Sequence, residues 1–288
     1  MYNWNQYNEK LVRRGEIFIS SDVMSNWNKE LAIMNNNKKG RRYQYPDSFM
    51  RILGYVKVYF GLPYRQTEGL IRTYHNTIPY VPDYTAIHKR INKLDIRQNS
   101  HRPKNSIVLA IDSTGIKVTN RGDWMRQKWQ KHRKGFLKIH VGVDVESKQI
   151  LAVKITDEHS HDSRSLKYLV RASARHGTVT KLLGDGAYDS REIFSYLDGK
   201  EIIPAIKVRR NSIPKARGCH SRKKAVMEQL SDYSKWCASV SYGSRWIVES
   251  VFSSIKRMFG EEVRSKNRHN MIQEMMLKIS LYNKFVTA

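Results

Sequence analysis

The sequence predicts an α/β protein in which a small helical region precedes a mixed sheet flanked by helices. Three observations support this prediction: a helical pattern over residues 45–94, a polar linker at residues 98–106, and a later alternation of apolar strand runs with helices. The 288 residues suit one large domain and a smaller one, and 40% hydrophobic residues are enough to form a core. We therefore expect residues 1–100 to form a helical N-terminal region and residues 101–288 to form the α/β domain.

The N-terminal region contains the pattern of three consecutive helices. The first forty residues are polar and irregular, and they give no clear periodicity. Start and stop signals then predict a helix over residues 46–60, a second over residues 64–74, and a third, TAIHKRINKL, capped by Asp83. The third helix carries His88, Lys89 and Arg90. This order is typical of a helix-turn-helix DNA-binding unit, and an ordinary three-helix packing module with a solvated basic face is the alternative.

Strands and helices alternate in the α/β domain. Apolar runs predict five strands, at residues 106–111, 137–145, 150–156, 180–183 and 202–208. Helices are predicted at residues 162–176, 190–197, 246–259 and 270–285. Asp162 and Ser163 stand at the start of the first of these helices, where we expect them to cap it rather than to bind a metal.

A basic insertion is predicted at about residues 209–240. The stretch is rich in cations, and contact with DNA phosphates is the function that this composition favours. The residues for which we expect this role are Lys215, Arg217, Arg222, Lys223 and Lys224. A solvated basic loop without such a role is the alternative.

The charge balance restricts the kind of partner. The chain has 52 Lys and Arg against 26 Asp and Glu, a net charge of +26, which repels itself unless an anion is bound. Nucleic acid is the usual partner of such a surface, and an anionic membrane surface is the alternative. We find neither an apolar run of membrane-spanning length nor the apolar core of a secretory signal, and the two cysteines fit a reducing compartment. We therefore expect a cytoplasmic protein that does not enter the membrane.

Three acidic residues stand where they can perform chemistry. Asp112 ends the apolar run IVLAI, and Asp185 follows Leu182-Leu183, so each emerges from a buried strand. A rigid sheet that holds a carboxylate at its edge suits a metal ligand. Glu249 lies within a helix, and only folding can bring it to the other two. Such a trio is useful for phosphodiester cleavage by two Mg²⁺ ions roughly 3.5–4 Å apart, and Asp112, at the end of a central strand, is the natural bridging ligand.

The helix that carries Glu249 has a stripe of polar and charged side chains. At about 100° per residue, Arg245 and Lys256 lie within about 40° of Glu249, and so does Tyr242 if the helix extends back that far. The stripe predicts cations at the edge of a metal site that are ready to contact phosphate. The alternative is charge pairing on a solvated helix, which contributes only ~0.2–0.5 kcal/mol per pair.

The motifs resemble those of a known family, over about residues 45–281. The spacing Tyr-x2-Arg-x3-Glu-x6-Lys, formed by Tyr242, Arg245, Glu249 and Lys256, resembles the signature of prokaryotic insertion-sequence DDE transposases, in the insertion-sequence four/five superfamily. IDSTGIKV and GDGAYDS resemble the two acidic motifs of this family, with Ala187 where the second usually has Gly. KIHVGVD, with Lys138 and His140, resembles the family's second strand, and HDSRSL resembles the segment that leads into its first core helix.

The resemblance implies a ribonuclease H-like core with Asp112, Asp185 and Glu249 as catalytic and metal-binding triad. It also implies Mg²⁺ or Mn²⁺, with two ions expected, and double-stranded DNA as partner, namely transposon terminal repeats and a target. We expect a homodimer or a larger assembly on DNA. DNA contacts in the domain are expected from Lys138, Tyr242, Arg245 and Lys256.

Two other functions stay open at this point. A ribonuclease H-like nuclease or resolvase would cut DNA without joining it, and the complete four-residue spacing argues against it. A non-catalytic DNA-binding derivative is the second alternative, and the retention of all three acids argues against it.

Overall fold

A computed structural model describes residues 3–17, 21–96, 106–118, 136–214 and 218–288. The backbone packs as two compact units, one of Met1–Arg97 with Ser265–Ala288 and the other of Gln98–Arg264. The last helix therefore groups with the N-terminal helices, whereas the sequence led us to expect it in the domain of residues 101–288. Its packing explains the grouping, because Leu277 lies directly against Gly54, where a Cβ atom would come within 2.9 Å of the leucine side chain.

The elements of the first unit are helices. They are α1 (Trp4–Glu16), α2 (Ser21–Ser25), α3 (Trp27–Asn35), α4 (Asp47–Phe60), α5 (Tyr64–Arg72), α6 (Tyr84–Ile91) and a C-terminal helix (Arg268–Thr287). The helices α1 to α3 occupy the stretch in which the sequence showed no clear periodicity. For α1 the reason is physical, since none of its residues is buried and no apolar stripe is needed.

The three consecutive helices predicted in this unit are confirmed as α4, α5 and α6. Gly61 ends α4 in the left-handed region, with a φ of 64°, which a glycine adopts without strain. Asp83 caps α6 as predicted, because its carboxylate accepts a hydrogen bond of 2.7 Å from the backbone N–H of Ala86. Among the residues that the structure describes, no helix is long and apolar enough to cross a membrane.

The second unit is built on a five-stranded mixed sheet of order β3-β2-β1-β4-β5. The strands are β1 (Ser106–Lys117), β2 (Phe136–Asp144), β3 (Ile150–Asp157), β4 (Thr178–Gly184) and β5 (Ile203–Ile206). The central strand β1 pairs antiparallel with β2 and parallel with β4. This arrangement confirms the predicted fold class, a mixed sheet flanked by helices and preceded by a helical region.

Helices cover both faces of the sheet. They are α7 (Ser163–Ser173), α8 (Arg191–Asp198), α9 (His220–Ser231), α10 (Tyr233–Val240) and α11 (Trp246–Phe259). Ile107, Leu109 and Ile111 of β1 belong to the core that contains the buried side chains of α7 and α8. Successive side chains alternate between faces, so Asp112 points to the other side, where α11 packs against β1 and β2. The predicted basic insertion of residues 209–240 contains α9 and α10, and its described residues 209–214 and 218–219 are not helical.

Candidate active site

Asp112 and Asp185 stand at neighbouring positions of two parallel strands. The last parallel pair of β1 and β4 is Ala110 with Leu183, and Asp112 and Asp185 each lie two residues beyond it. Asp185 directly follows β4 and starts a 3-10 turn, Gly186–Tyr188, where its carboxylate accepts a hydrogen bond of 2.9 Å from the N–H of Ala187. The sheet and this turn together fix the backbone that carries both acids.

Glu249 reaches the same region from the first turn of α11. Asp112 and Glu249 line one cleft of about 560 Å³, together with Lys256 and Arg257. Arg245, in the 3-10 turn just before α11, joins the two acids. Its Nη1 lies 3.6 Å from Oδ2 of Asp112, and its Nη2 lies 2.5 Å from Oε1 of Glu249.

The acids concentrate negative charge around Asp112. Burial raises the pKa of Asp112, and the charges of Asp185 and Glu249 raise it further. The N–H of Ser113, which donates a hydrogen bond of 2.8 Å to Asp112, and the guanidinium of Arg245 oppose this effect without cancelling it. The protein's own groups therefore compensate only part of the repulsion among the three carboxylates, and a bound cation would compensate more of it.

The donor chemistry fits a divalent cation. Carboxylate oxygens are the ligands that Mg²⁺ and Mn²⁺ prefer, and the three acids offer them at one edge of the sheet. In the described ranges, no three His, Cys, Asp or Glu side chains already lie close enough together to hold an ion. Arg245 supplies the positive charge between Asp112 and Glu249 instead. The carboxylates would have to approach one another for all three to share a metal.

Tyr242 supports the turn of Asp185 from inside the protein. The helix does not extend back to this residue, since α11 begins at Trp246. The Tyr242 side chain is buried, its ring packs against Trp236, and its hydroxyl donates a hydrogen bond of 3.2 Å to the carbonyl of Gly184. Burial raises the pKa of Tyr242 to about 12. In this arrangement the tyrosine holds the end of β4 from within the protein, and its hydroxyl is engaged by Gly184 rather than available to DNA.

Two further cations for which we expected DNA contacts are paired within the second unit. Arg222 forms a two-bond ion pair with the buried carboxylate of Asp189, at 2.7 and 2.9 Å. Lys138 lies 2.7 Å from the carboxylate of Asp162 and donates a hydrogen bond of 3.1 Å to the carbonyl of Ser160. Both side chains therefore have partners that a DNA phosphate would have to replace.

Other cations of that unit are open to a ligand. Lys223 and Lys224 are exposed on α9, and Lys224 lies 3.9 Å from Glu228, which is a long ion pair. Lys256 lines the cleft beside Glu249. Lys215 and Arg217 lie outside the described residues, so the prediction for them stays a prediction.

The three candidate residues of α6 differ in their surroundings. Lys89 and His88 are exposed, although the ring of His88 contacts Tyr64 edge to face. Arg90 is directed inward, where it pairs with Asp47 at 2.5 Å and lies over the ring of Tyr43 at 4.2 Å. Because Arg90 is bound to these partners, Lys89 and His88 are the candidate residues of α6 that are exposed for contact with a DNA groove.

Sequence reasoning missed the role of Asp162. The prediction that this residue caps α7 is wrong, because the capping position shows no side-chain hydrogen bond to the described helix start. Asp162 instead accepts hydrogen bonds from Ser113 and Lys138, at 2.8 and 2.7 Å. One signal was present, since Lys138 and His140 are two residues apart on one strand and therefore share a face. Arg257, which lines the cleft, was also missed.

The chain matches known proteins over both of its units. A family model described as a transposase DDE domain matches residues 103–284, more than half of the chain, and a second model with that description matches residues 12–121. Among solved structures, the chain is similar to the piggyBac transposase in a synaptic complex with hairpin DNA. The sequence identity is 11% and the TM-score 0.46, over 96% of this chain and 74% of that chain. It is also similar to the Drosophila P element transposase in a strand transfer complex, with 13% identity and a TM-score of 0.37, over 90% and 70%.

Proposed function

The chain belongs to the family of transposases with a DDE domain, and from that premise we propose a metal-dependent enzyme that cleaves transposon terminal repeats and transfers their 3′ ends to target DNA. The acids proposed for the chemistry are Asp112, Asp185 and Glu249. One observation carries the assignment: Asp112 on β1 and Asp185 just after β4 lie on neighbouring parallel strands, and Glu249 lies on a helix that lines the same cleft as Asp112.

The proposed reaction is a pair of phosphoryl transfers. In cleavage, a water oxygen attacks the phosphorus, the bond to the 3′ oxygen breaks, and that oxygen leaves with a proton as a free 3′ hydroxyl. In strand transfer, this hydroxyl loses its proton and its oxygen attacks a phosphorus of the target, while the bond from that phosphorus to a second 3′ oxygen breaks and the leaving oxygen takes up a proton. Two bound Mg²⁺ or Mn²⁺ ions would supply activation of the attacking oxygen and stabilisation of the leaving one.

The protein's own groups have distinct tasks in this proposal. Asp112, Asp185 and Glu249 would hold the ions. Asp112 is central among them, because its carboxylate experiences the charges of both other acids. Arg245 and Lys256 would contact the phosphate next to the scissile bond, since one touches Glu249 and the other lines the same cleft. The guanidinium of Arg245, which pairs with Asp112 and Glu249 in the free protein, would turn to a phosphate if those acids held metal ions.

Binding to DNA outside this cleft is proposed for the exposed cations. Lys223 and Lys224 of α9 are suited to contacts with the backbone, and His88 and Lys89 of α6 are suited to contacts in a groove. Two copies of the chain on a pair of transposon ends would be the smallest assembly that joins both ends to one target, and we include it in the proposal.

A cleavage and strand-transfer assay on the terminal repeats that flank the element tests the proposal. Asp112→Ala should abolish cleavage and leave DNA binding, because phosphate contacts come from Lys and Arg. Asp144→Ala is a control of the same kind on β2, where the carboxylate holds the turn at Ser147 and lies outside the proposed triad. Cleavage by Asp112→Ala at the wild-type rate would refute the assignment.

The same assay separates the alternatives. A nuclease without joining activity would release 3′ ends and give no strand-transfer product. A non-catalytic derivative would bind the repeats and cut nothing in Mg²⁺ or Mn²⁺. Either result would remove the joining step or the whole reaction from the proposal.

A further inference from the structure

A partly buried polar cluster lies on the face of the sheet that packs against α7. Its centre is the carboxylate of Asp162, whose Oδ1 accepts hydrogen bonds from Ser113 Oγ at 2.8 Å and from Lys138 Nζ at 2.7 Å. Nδ1 of His140 lies 3.3 Å from the same oxygen. His140 is completely buried, and its Nε2 shares a hydrogen bond of 2.9 Å with the hydroxyl of Thr156.

The register of the sheet brings these side chains together. Ser113 on β1 lies opposite His140 on β2, and directly opposed residues point to the same face. Lys138 is two residues from His140 and therefore points the same way. Asp162 precedes α7, the helix on this face, and its side chain turns to the sheet instead of capping the helix.

One residue connects this cluster to the proposed catalytic edge. Ser113 follows Asp112 in the chain, so its side chain points to α7 while that of Asp112 points to α11. The Ser113 hydroxyl donates to Asp162, and the Ser113 N–H donates a hydrogen bond of 2.8 Å to Oδ1 of Asp112. The hydrogen bond to Asp162 holds the Ser113 side chain in place, and this also holds the Ser113 N–H that orients the Asp112 carboxylate.

The charges of the cluster favour this fixed state. Burial alone would raise the pKa of Asp162, but the surrounding His140, Lys138 and Ser113 hold it well below its usual range. The lowered pKa favours the ionised carboxylate, which is the form that accepts the hydrogen bond from Ser113. Loss of one member would leave its partners less constrained, and the completely buried His140 has no access to water in exchange.

We propose that Asp162 is a positioning residue for Asp112, acting through the side chain and the N–H of Ser113. The proposal rests on the proposed function, in which Asp112 is a metal ligand. It extends the active site to a second layer on the opposite face of the sheet. Groups in this layer would set the direction of the Asp112 carboxylate before metal or DNA arrives.

Substitutions at Ser113 distinguish positioning from simple structural support. Ser113→Ala removes the link to Asp112 but leaves the ion pair of Asp162 with Lys138, so folding should be kept. Ser113→Thr retains the hydroxyl and should restore what alanine removes. Ser165→Ala is a matched control, because Ser165 is a buried serine of α7 whose hydroxyl has no hydrogen-bond partner in the described part of the chain. Asp162→Asn completes the set.

Two readouts are needed besides the melting temperature. The first is the affinity of the protein for Mn²⁺ in the absence of DNA, measured from the spectroscopic signal of the free ion. Binding that is lost in Asp112→Ala is assigned to the proposed site. The second is single-turnover DNA cleavage as a function of Mn²⁺ concentration. Losing a group that orients a metal ligand lowers affinity or activity by about 10–100-fold, and we expect a loss in this range for Ser113→Ala and for Asp162→Asn.

The outcomes are distinct. Loss of Mn²⁺ affinity in Ser113→Ala at an unchanged melting temperature, with recovery in Ser113→Thr, would support the proposal. Wild-type affinity and cleavage in Ser113→Ala, with only a lower melting temperature in Asp162→Asn, would overturn it. If the wild type binds Mn²⁺ through Asp112 but cuts no DNA, the proposed function is refuted and the positioning proposal is not. The Mn²⁺ affinities of the variants then still decide the positioning role.

Discussion

Arg222 and Asp189 form a buried ion pair that ties the insertion to the turn after β4. The guanidinium Nε and Nη2 contact the two carboxylate oxygens at 2.7 and 2.9 Å, and the Asp189 side chain has no exposed surface. Asp189 lies four residues beyond Asp185, and Arg222 lies in α9. The carboxylate also accepts hydrogen bonds from the N–H of Arg209 and the hydroxyl of Ser212. The insertion is therefore attached to the segment that carries a proposed catalytic acid.

Removal of this pair should destabilise the second unit. Arg222→Ala leaves the buried Asp189 charge without its partner, and breaking such a pair costs about 3–5 kcal/mol. The comparison is Lys224→Ala, which removes a cation two residues away on the exposed face of α9 and should change little. Urea unfolding of both variants measures the difference. Equal unfolding midpoints would show that the pair contributes nothing to stability.

The same pair predicts a loss of stability in acid. Burial alone would raise the pKa of Asp189, but the hydrogen bonds from Arg222, the N–H of Arg209 and Ser212 outweigh it and lower the pKa below its ordinary value of 3.8. A carboxyl whose pKa is lower in the folded state stabilises the fold above the unfolded pKa. This contribution is lost as the pH falls from about 4 through the folded pKa. The unfolding free energy of Asp189→Asn should therefore depend less steeply on pH in that window than that of the wild type.

Much of the second unit could be predicted from its sequence because burial leaves a local pattern. The run IVLAI marks the first half of β1. The strand then continues through Asp112 to Lys117, so the prediction that Asp112 ends the strand is wrong. In α9 the pattern fails, since only Ala225, Val226 and Gln229 are buried among many exposed positions, which is too few for an apolar stripe.

Long-range partners explain the residues whose roles were not foreseen. A local rule makes Asp162 a helix cap, but its partners Ser113 and Lys138 come from other strands, and only the folded sheet brings them near. Tyr242 shows the same limit. Its spacing to Glu249 suggested a shared helix face, whereas a 3-10 turn places its hydroxyl on the carbonyl of Gly184.

Replacement of Arg245 should impair the chemistry more than binding. The guanidinium lies between Asp112 and Glu249, next to the proposed scissile phosphate. Loss of one group that stabilises developing charge costs about 10²–10³-fold in rate, and we expect this range for strand transfer by Arg245→Ala. Overall DNA affinity should fall far less, because many other cations contribute. Single-turnover experiments measure the strand-transfer rate, and a filter-binding titration measures the DNA affinity.

Arg245→Lys is the control that keeps the positive charge but removes the planar guanidinium group. A lysine keeps the positive charge but cannot contact two acids through separate nitrogen atoms, so its rate should be intermediate. A melting temperature that falls together with binding and transfer in Arg245→Ala would indicate a structural role and contradict the prediction.

The hydroxyl of Tyr188 should lower the unfolding free energy of the protein in the absence of ligands. The side chain is buried, and its hydroxyl has no hydrogen-bond partner among the described residues. A buried polar group without a partner costs about 1–3 kcal/mol, so Tyr188→Phe should unfold at the same or a higher urea concentration than the wild type. Tyr55→Phe is the matched comparison, because the buried Tyr55 hydroxyl bonds to Ser280 at 2.8 Å and its removal should destabilise. A clear destabilisation by Tyr188→Phe would show that the hydroxyl has a partner.

The salt dependence of binding should separate the cations that contact phosphate from those that hold the fold. Each duplex phosphate contact contributes about 0.9 to the slope of log K against log salt. Replacing the exposed Lys223 and Lys224 by Ala should therefore lower the slope by up to about 1.8 for every DNA sequence alike. Arg222→Ala should leave the slope of the folded protein unchanged, because its guanidinium is bound to Asp189. An equal drop in slope for Arg222→Ala would mean that the ion pair opens on DNA.

The helix α6 should affect which sequence is bound rather than how strongly salt competes. Lys89 is exposed, so Lys89→Ala should reduce the preference for the terminal repeat over unrelated DNA if α6 enters a major groove. Arg90→Ala should lower the melting temperature instead, because Arg90 pairs with Asp47 and donates a hydrogen bond of 3.2 Å to the carbonyl of Tyr45. Competition binding with repeat and random duplexes measures the preference. If Lys89→Ala changes only the salt slope while the α9 variants change the preference, α9 reads the sequence and α6 contacts the backbone.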